Sequence, residues 1–117
     1  MQRVEPITIT DSETGETYSL EFDRETVRKA ENAGFSLEDI GRYPSKAYDL
    51  FFYAFMKNHG RDFATRRLTR KRTDELLDAL GGPLDAPPEL WERLGDLYIQ
   101  TYAALGDEKN CHVTVKF

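Results

Sequence analysis

The stretch Ala47-Tyr48-Asp49-Leu50-Phe51-Phe52-Tyr53-Ala54-Phe55-Met56 is the most densely apolar part of the chain. It holds three of the seven Phe residues, two of the six Tyr residues and one of the two Met residues. Because Pro44 suits the first turn of a helix, the pattern predicts a helix over residues 45–58 that is closed by Gly60. Apolar side chains point in nearly every direction around this helix, which indicates that it is central in its domain or shared with a partner.

A β-hairpin is predicted before this helix. Residues 6–10 and 17–22 alternate apolar and polar side chains, and the segment between them carries turn chemistry around Gly15. One face of the hairpin collects the apolar residues Ile7, Ile9, Tyr18, Leu20 and Phe22. An isolated hairpin is marginally stable in water, so we expect a helix to cover that face.

Capping and stop signals predict the remaining helices. Asp23 and Gly34 bound a helix over residues 24–32. Ser36, with Asp39 at the capping-box position, and Gly41 bound a short helix over residues 37–40. Thr69 and Gly81-Gly82 bound a helix over residues 70–80, and the last helix, over residues 87–105, follows a turn at 83–88 and ends at Gly106. The last helix has an apolar stripe at helical spacing, formed by Leu90, Trp91, Leu94, Leu97, Tyr98, Thr101, Tyr102 and Leu105. The sequence therefore predicts an α+β, mostly α fold in which an N-terminal antiparallel hairpin packs on four to five helices.

Length and composition bound the remaining organisation. A chain of 117 residues is expected to form a single domain, residues 1–117. Within residues 107–117, the alternating segment His112-Val113-Thr114-Val115-Lys116-Phe117 predicts either a third strand on the hairpin or a loose tail, and the strand is favoured. No signal peptide is recognisable and the longest apolar run is too short to span a bilayer, so no membrane is expected. The single cysteine, Cys111, excludes an intramolecular disulfide and fits a cytosolic setting.

Signatures of catalysis and of metal binding are missing from the sequence. His59, Cys111 and His112 are the only soft metal ligands, and they lack the spacing of a metal site. No nucleophile with its base and no phosphate-binding glycine loop is recognisable. We therefore expect a protein that is not an enzyme and needs no cofactor.

A basic segment at residues 61–72 has two interpretations. It holds Arg61, Arg66, Arg67, Arg70, Lys71 and Arg72, with Asp62 as its only acidic residue. Such a segment can bind nucleic acid or an acidic partner, or it can be a solvated surface. The net charge of −5 and the single interleaved aromatic residue, Phe63, favour the solvated surface over nucleic acid.

Several segments together resemble a known protein family. They are Gly15-Glu16-Thr17-Tyr18-Ser19-Leu20-Glu21-Phe22-Asp23-Arg24-Glu25-Thr26-Val27, Glu31-Asn32-Ala33-Gly34-Phe35, the aromatic helix as far as His59, and Arg70-Lys71-Arg72-Thr73-Asp74-Glu75-Leu76-Leu77. Their order resembles small proteins of tailed phages and prophages of Gram-positive bacteria, the tail assembly chaperones of long-tailed siphophages. The similarity does not extend to residues 111–117.

The resemblance implies a function that composition alone does not indicate. Chaperones of this family coat the long helical tape-measure protein and keep it soluble until tail-tube protein polymerises around it. They are made in a short and a frameshift-extended form, they self-associate, and they are absent from the mature virion. The resemblance therefore implies action in the cytoplasm of the host bacterium, with the tape-measure protein as partner and with no catalytic residue.

Apolar density suggests where such a partner binds. An exposed apolar groove on the central helix would hold an amphipathic helix, with Phe51, Phe52, Phe55 and Met56 as its anchors. Three alternatives stay open. One is another phage or prophage structural or tail-completion protein, the second is a nucleic-acid-binding regulator that uses Arg61 to Arg72, and the third is a small enzyme for which no residues can be named.

Overall fold

The elements follow one another as the sequence predicts, with a hairpin first and helices after it. A computed structural model describes residues 4–109, and residues 102–109 by their backbone alone. The elements are β1 (Ile7–Thr10), β2 (Thr17–Leu20), α1 (Arg24–Asn32), a 3-10 helix (Leu37–Gly41), α2 (Lys46–Ala64), α3 (Arg70–Ala79), the one-turn α4 (Gly82–Asp85) and α5 (Pro88–Lys109). The predicted α+β, mostly α class is thereby confirmed.

The hairpin forms a two-stranded antiparallel sheet in which Ile7 pairs with Leu20 and Ile9 pairs with Tyr18. This register places those four residues on one face, as the alternation predicts. Tyr18 and Leu20 are buried, whereas the two isoleucines of β1 are partly buried and pack at the margin of the core. The apolar face of the hairpin therefore helps to build the core.

Helix α2 forms the centre of the core. It packs against β2, α1, the 3-10 helix, α3 and α5. Its buried residues are Ala47, Leu50, Phe51, Ala54 and Phe55. The ring of Phe55 meets those of Phe51 and Tyr18 edge-on, with centroids 5.1 and 5.4 Å apart. The prediction that this helix is central in the domain is confirmed.

The C-terminal end of α2 differs from the prediction. Gly60 does not close the helix; instead α2 kinks at His59, where φ is −124° and ψ is 22°, and continues to Ala64. A glycine in a helix interior costs only about 1 kcal/mol relative to alanine, which by itself does not end a helix. Arg66 ends this segment by adopting a left-handed conformation, with φ of 63°.

Three other boundaries also need correction. Ser36 makes no side-chain capping bond, and the short helix after it is of the 3-10 type. The predicted turn at 83–88 contains α4, which has Pro83 in its first turn. Helix α5 passes Gly106 and reaches Lys109. The predicted strand His112 to Phe117 and Cys111 lie outside the described residues.

Local signals set the starts of α1 and α3 as predicted. The side chain of Asp23 accepts a hydrogen bond from the Thr26 N–H at 2.8 Å, and the Thr26 hydroxyl accepts one from the Asp23 N–H at 2.9 Å. This reciprocal pair is a capping box. At α3, the Thr69 hydroxyl accepts from the Arg72 N–H at 3.1 Å. No helix within residues 4–109 is long and apolar enough to cross a membrane.

Candidate partner-binding surface

The four predicted partner-binding residues separate into two pairs on α2. Phe51 and Phe55 lie in the core, with 1% and 0% of their surfaces exposed. Phe52 and Met56 are one helical turn apart on the outward side, and both are partly buried. A partner can reach only Phe52 and Met56 in this conformation. Partner binding by these residues stays a prediction.

Further aromatic residues surround Phe52. Its ring lies 5.1 Å from that of Tyr53 and 5.3 Å from that of Phe63, and both contacts are edge-to-face. Phe63 belongs to the segment of α2 beyond the kink, so the continuation of the helix past Gly60 brings this ring to Phe52. We call Phe52, Tyr53, Met56 and Phe63 the outer aromatic surface. Of these four residues, the sequence pattern predicts only Phe52 and Met56 as partner-binding.

Arg70 lies over the outer aromatic surface. Its guanidinium carbon is 4.5 Å from the centroid of the Phe52 ring, within the range of a cation–π contact. Two carboxylates hold it there: Asp49 Oδ1 accepts from Nη2 at 2.6 Å, and Asp74 Oδ1 accepts from Nε at 3.3 Å. The Thr69 cap places Arg70 at the first position of α3, beside α2. The basic segment therefore borders the aromatic side chains directly.

Folding divides the basic segment 61–72 into paired and unpaired residues. Arg72 binds Asp11, on the hairpin turn, and Glu75, whose Oε2 is 3.1 Å from Nη1. Hydrogen bonding to Arg72 is the main cause that holds the pKa of Asp11 below its usual value of 3.8. Asp11 and Asp49 lie far from the segment in sequence, so the sequence alone indicates only Asp62 as an opposing charge. Among the described residues, four exposed basic side chains of the segment form no ion pair: Arg61, Arg66, Arg67 and Lys71.

The residues around a hollow at His59 make contacts that hold the fold together. It measures about 220 Å³ and is lined by residues that include Tyr18, Asp62 and Arg67. His59 hydrogen-bonds β2 and Asp62, and Tyr18 donates to Glu16 Oε2 at 2.7 Å. Burial, followed by this bond to Glu16, raises the pKa of Tyr18 to about 12. Across residues 4–109, no cluster of three or more His, Cys, Asp or Glu residues is placed to hold a metal ion.

The outer aromatic surface is thus an apolar patch with a charged margin. It can contact an apolar stripe on another protein through its rings and pair with acidic groups through its basic margin. A family model described as "Domain of unknown function (DUF5055)" matches residues 1–117. No curated protein and no solved structure matches the chain.

Proposed function

We propose that this chain, which belongs to the DUF5055 family over residues 1–117, is a non-enzymatic chaperone of phage tail assembly. In this role it binds the tape-measure protein and keeps it soluble until tail-tube protein polymerises around it. It acts in the cytoplasm of the host bacterium, self-associates, and is absent from the mature virion. The sequence resemblance described above, which runs from Gly15 to Leu77, supports this role.

The outer aromatic surface is the structural observation that carries the proposal. Aromatic residues and methionine are enriched where proteins meet, and an amphipathic helix binds through apolar anchors repeated along its face. Phe52, Tyr53, Met56 and Phe63 are all partly buried. Each ring is supported by neighbouring side chains and yet keeps an accessible side, so the surface is already formed before a partner arrives.

The charges around this surface define the chemistry of the proposed partner. Arg70 lies on the ring of Phe52, and the exposed Arg61 and Lys71 belong to the adjoining segments of α2 and α3. A helix with an apolar stripe and acidic residues along its flank fits such a margin. The net charge of −5 keeps the chaperone itself soluble while it holds an apolar partner.

Co-expression with a phage tape-measure protein tests the proposal. In the double variant Phe52→Ser/Met56→Ser, the tape-measure protein should move from the soluble to the insoluble fraction. Ile99→Ser is the matched control, because Ile99 is an apolar residue of α5 with 56% exposure that lies outside the outer aromatic surface. Circular dichroism and thermal unfolding establish that both variants stay folded. Full solubility of the tape-measure protein with a folded double variant would refute the role of this surface.

Two further measurements separate the alternatives. Mass spectrometry of purified virions distinguishes a chaperone, which is absent from them, from a structural or tail-completion protein, which stays. A nucleic-acid regulator should lose affinity steeply with added salt and with Arg66→Gln/Arg67→Gln. The pairing of Arg70 and Arg72 with carboxylates disfavours that alternative, because it removes two of the six cations of the basic segment from a phosphate surface.

A further inference from the structure

The two edges of the hairpin are unequal, and α2 closes one of them. The Ser19 N–H donates to His59 Nε2 at 3.0 Å, and the Ser19 carbonyl accepts from Asn58 Nδ2 at 3.2 Å. One residue beyond β2, the Glu21 N–H donates to the Ala54 carbonyl at 3.1 Å. The outward backbone groups of Ser19, in the middle of β2, and the Glu21 N–H just after the strand are therefore satisfied by α2.

Among residues 4–109, nothing pairs with the outer edge of β1. Thr8 pairs with Ser19, whose N–H and C=O point away from β1, so those of Thr8 point away from β2. Thr10 follows the same alternation, and the bond from the Asp11 N–H to the Glu16 carbonyl at 2.8 Å fixes the register beyond it. Within residues 4–109, no side chain or loop is hydrogen-bonded to Thr8 or Thr10 at this edge.

An apolar groove accompanies this open edge. It has a volume of about 490 Å³ and lies between residues 6–9 on one side and Leu80, Leu90 and Arg93 on the other. A second hollow of about 240 Å³ shares Ile9 and Leu80 with it and follows the strand toward Glu13. Residues 7–10 carry no charge, lysine or proline, which are devices that keep an exposed edge from pairing, and Pro6 directly precedes them. The groove and the edge together form a surface for strand addition.

The polar groups of this edge fit a second copy of the edge. With a two-fold axis at Thr8, antiparallel pairing lets each Thr8 N–H donate to the partner's Thr8 carbonyl. The Thr10 N–H then donates to the carbonyl of the partner's Pro6, and the Thr10 carbonyl receives no bond in return because proline has no N–H. Ile7 comes to lie beside the partner's Ile9 on the apolar face.

The charges also fit this two-fold arrangement. Arg93 lines the groove beside residues 6–9, whereas the hollow at the Thr10 end is lined by Asp11, Glu13, Glu75 and Arg72. Arg72 binds Asp11 and Glu75, which leaves Glu13 without an ion pair among the described residues. Antiparallel pairing brings each Arg93 to the acidic end of the other copy, and symmetry makes this contact twice. Within its own chain, Arg93 pairs with Glu89 at 3.7 Å, and both side chains are at least half exposed, which makes that pair weak.

We propose that β1 pairs with β1 of a second copy of this chain, so that two hairpins form one continuous antiparallel sheet. This inference gives the self-association of the proposed function a surface, and in that respect it rests on the proposed function. Its site is separate from the outer aromatic surface, so the two can be tested independently.

Sedimentation of the purified full-length chain, measured over a wide concentration range, tests the proposal. The wild type should be a reversible dimer. Thr8→Pro should be monomeric, because proline removes the central N–H of the interface and leaves the bonds between β1 and β2 in place. Arg93→Glu and Glu13→Arg should each weaken dimerisation by about tenfold or more, and the double variant should recover most of that loss because it restores opposite charges.

Three results would overturn the proposal. The first is a wild type that stays monomeric up to about 1 mM, where association would be weaker than about 4 kcal/mol. A second is a dimer whose affinity is unchanged both in folded Thr8→Pro and in Arg93→Glu. The third is a monomer in which the Thr8 amide is protected from hydrogen exchange, since another segment of the chain would then cover this edge. None of these results depends on tape-measure solubility, so failure of either proposal is recognised separately.

Discussion

The backbone N–H of Ser19 donates a hydrogen bond to Nε2 of His59 at 3.0 Å. The tautomer that accepts this bond at Nε2 carries its N–H at Nδ1, which lies 3.0 Å from Asp62 Oδ2. His59 also lies edge-on to Tyr18, with ring centroids 5.2 Å apart. The His59 side chain, at the kink of α2, thus accepts a backbone hydrogen bond from β2 that a neighbouring strand would accept in a larger sheet.

We expect His59→Ala to lower the free energy of unfolding by about 1–3 kcal/mol, because it leaves the Ser19 N–H without an acceptor. Protection of the Ser19 amide from hydrogen exchange should fall by more than that of amides in α5. Asp62→Asn is the control, since its amide oxygen still accepts from Nδ1. Equal Ser19 protection in the wild type and in His59→Ala would show that the bond does not hold β2.

Stability at high pH should depend on Tyr18. Its pKa is raised from 10.0 to about 12 in the folded chain, so between these values the unfolded state loses a proton that the folded state keeps. The free energy of unfolding must then fall as pH rises through this window, by on the order of 2 kcal/mol. Tyr18→Phe lacks the phenol hydroxyl, so this contribution to the pH dependence is absent from the variant. Denaturant unfolding of both proteins from pH 9 upward should show the steeper decline in the wild type alone, and parallel declines would contradict this assignment.

The link between the hairpin turn and α3 should be visible in a double-mutant cycle. Asp11 accepts from the Glu13 N–H at 3.0 Å through one oxygen and binds Arg72 through the other. Asp11→Asn and Arg72→Gln should each destabilise the fold, and the double variant should lose less than the sum of both. Because the pKa of Asp11 is lowered, its contribution is present above 3.8 and is lost as pH falls below that value. Strict additivity at neutral pH would show that the two side chains do not interact.

Two glycines should respond to alanine in opposite directions. Gly81 has φ of 119°, and a Cβ there would lie 2.6 Å from the backbone carbon of Asp85. Gly81→Ala should therefore cost about 3 kcal/mol or more, since both strain and a backbone clash oppose it. Gly95 lies within α5, and a Cβ at that position would meet no other atom within 4 Å, so Gly95→Ala should stabilise by about 0.5–1 kcal/mol. Thermal unfolding measures both changes, and a destabilised Gly95→Ala would contradict the open surroundings.

Local signals were sufficient to predict much of the fold. The alternation of β1 and β2 indicated the apolar face of the hairpin, and the reciprocal bonds of Asp23 and Thr26 depend on residues three positions apart. Such features arise from neighbours in the chain, so a sequence contains them directly. By contrast, the kink at His59 and the left-handed Arg66 depend on contacts with the rest of the domain, and neither was predicted.

The candidate site was only partly predictable for a physical reason. A helix that is apolar all round gives no signal of which side faces inward, so Phe51 and Phe55 could not be separated from Phe52 and Met56. Leu68 lies between basic residues in the sequence, yet it is 2% exposed and belongs to the core. The positions of Arg70 and Phe63 beside Phe52 required the packing of α3 and the continuation of α2 past Gly60.

The hydrogen bonds between α2 and β2 also determine when the hairpin can reach its native structure during synthesis. Ser19 is separated from His59 by 40 positions in the chain, and it is separated from Asn58 by 39. A ribosome must therefore release α2 before the outer edge of β2 gains its native partners. Until then the nascent hairpin has two open edges, and its protection from aggregation depends on the speed with which α2 emerges and docks.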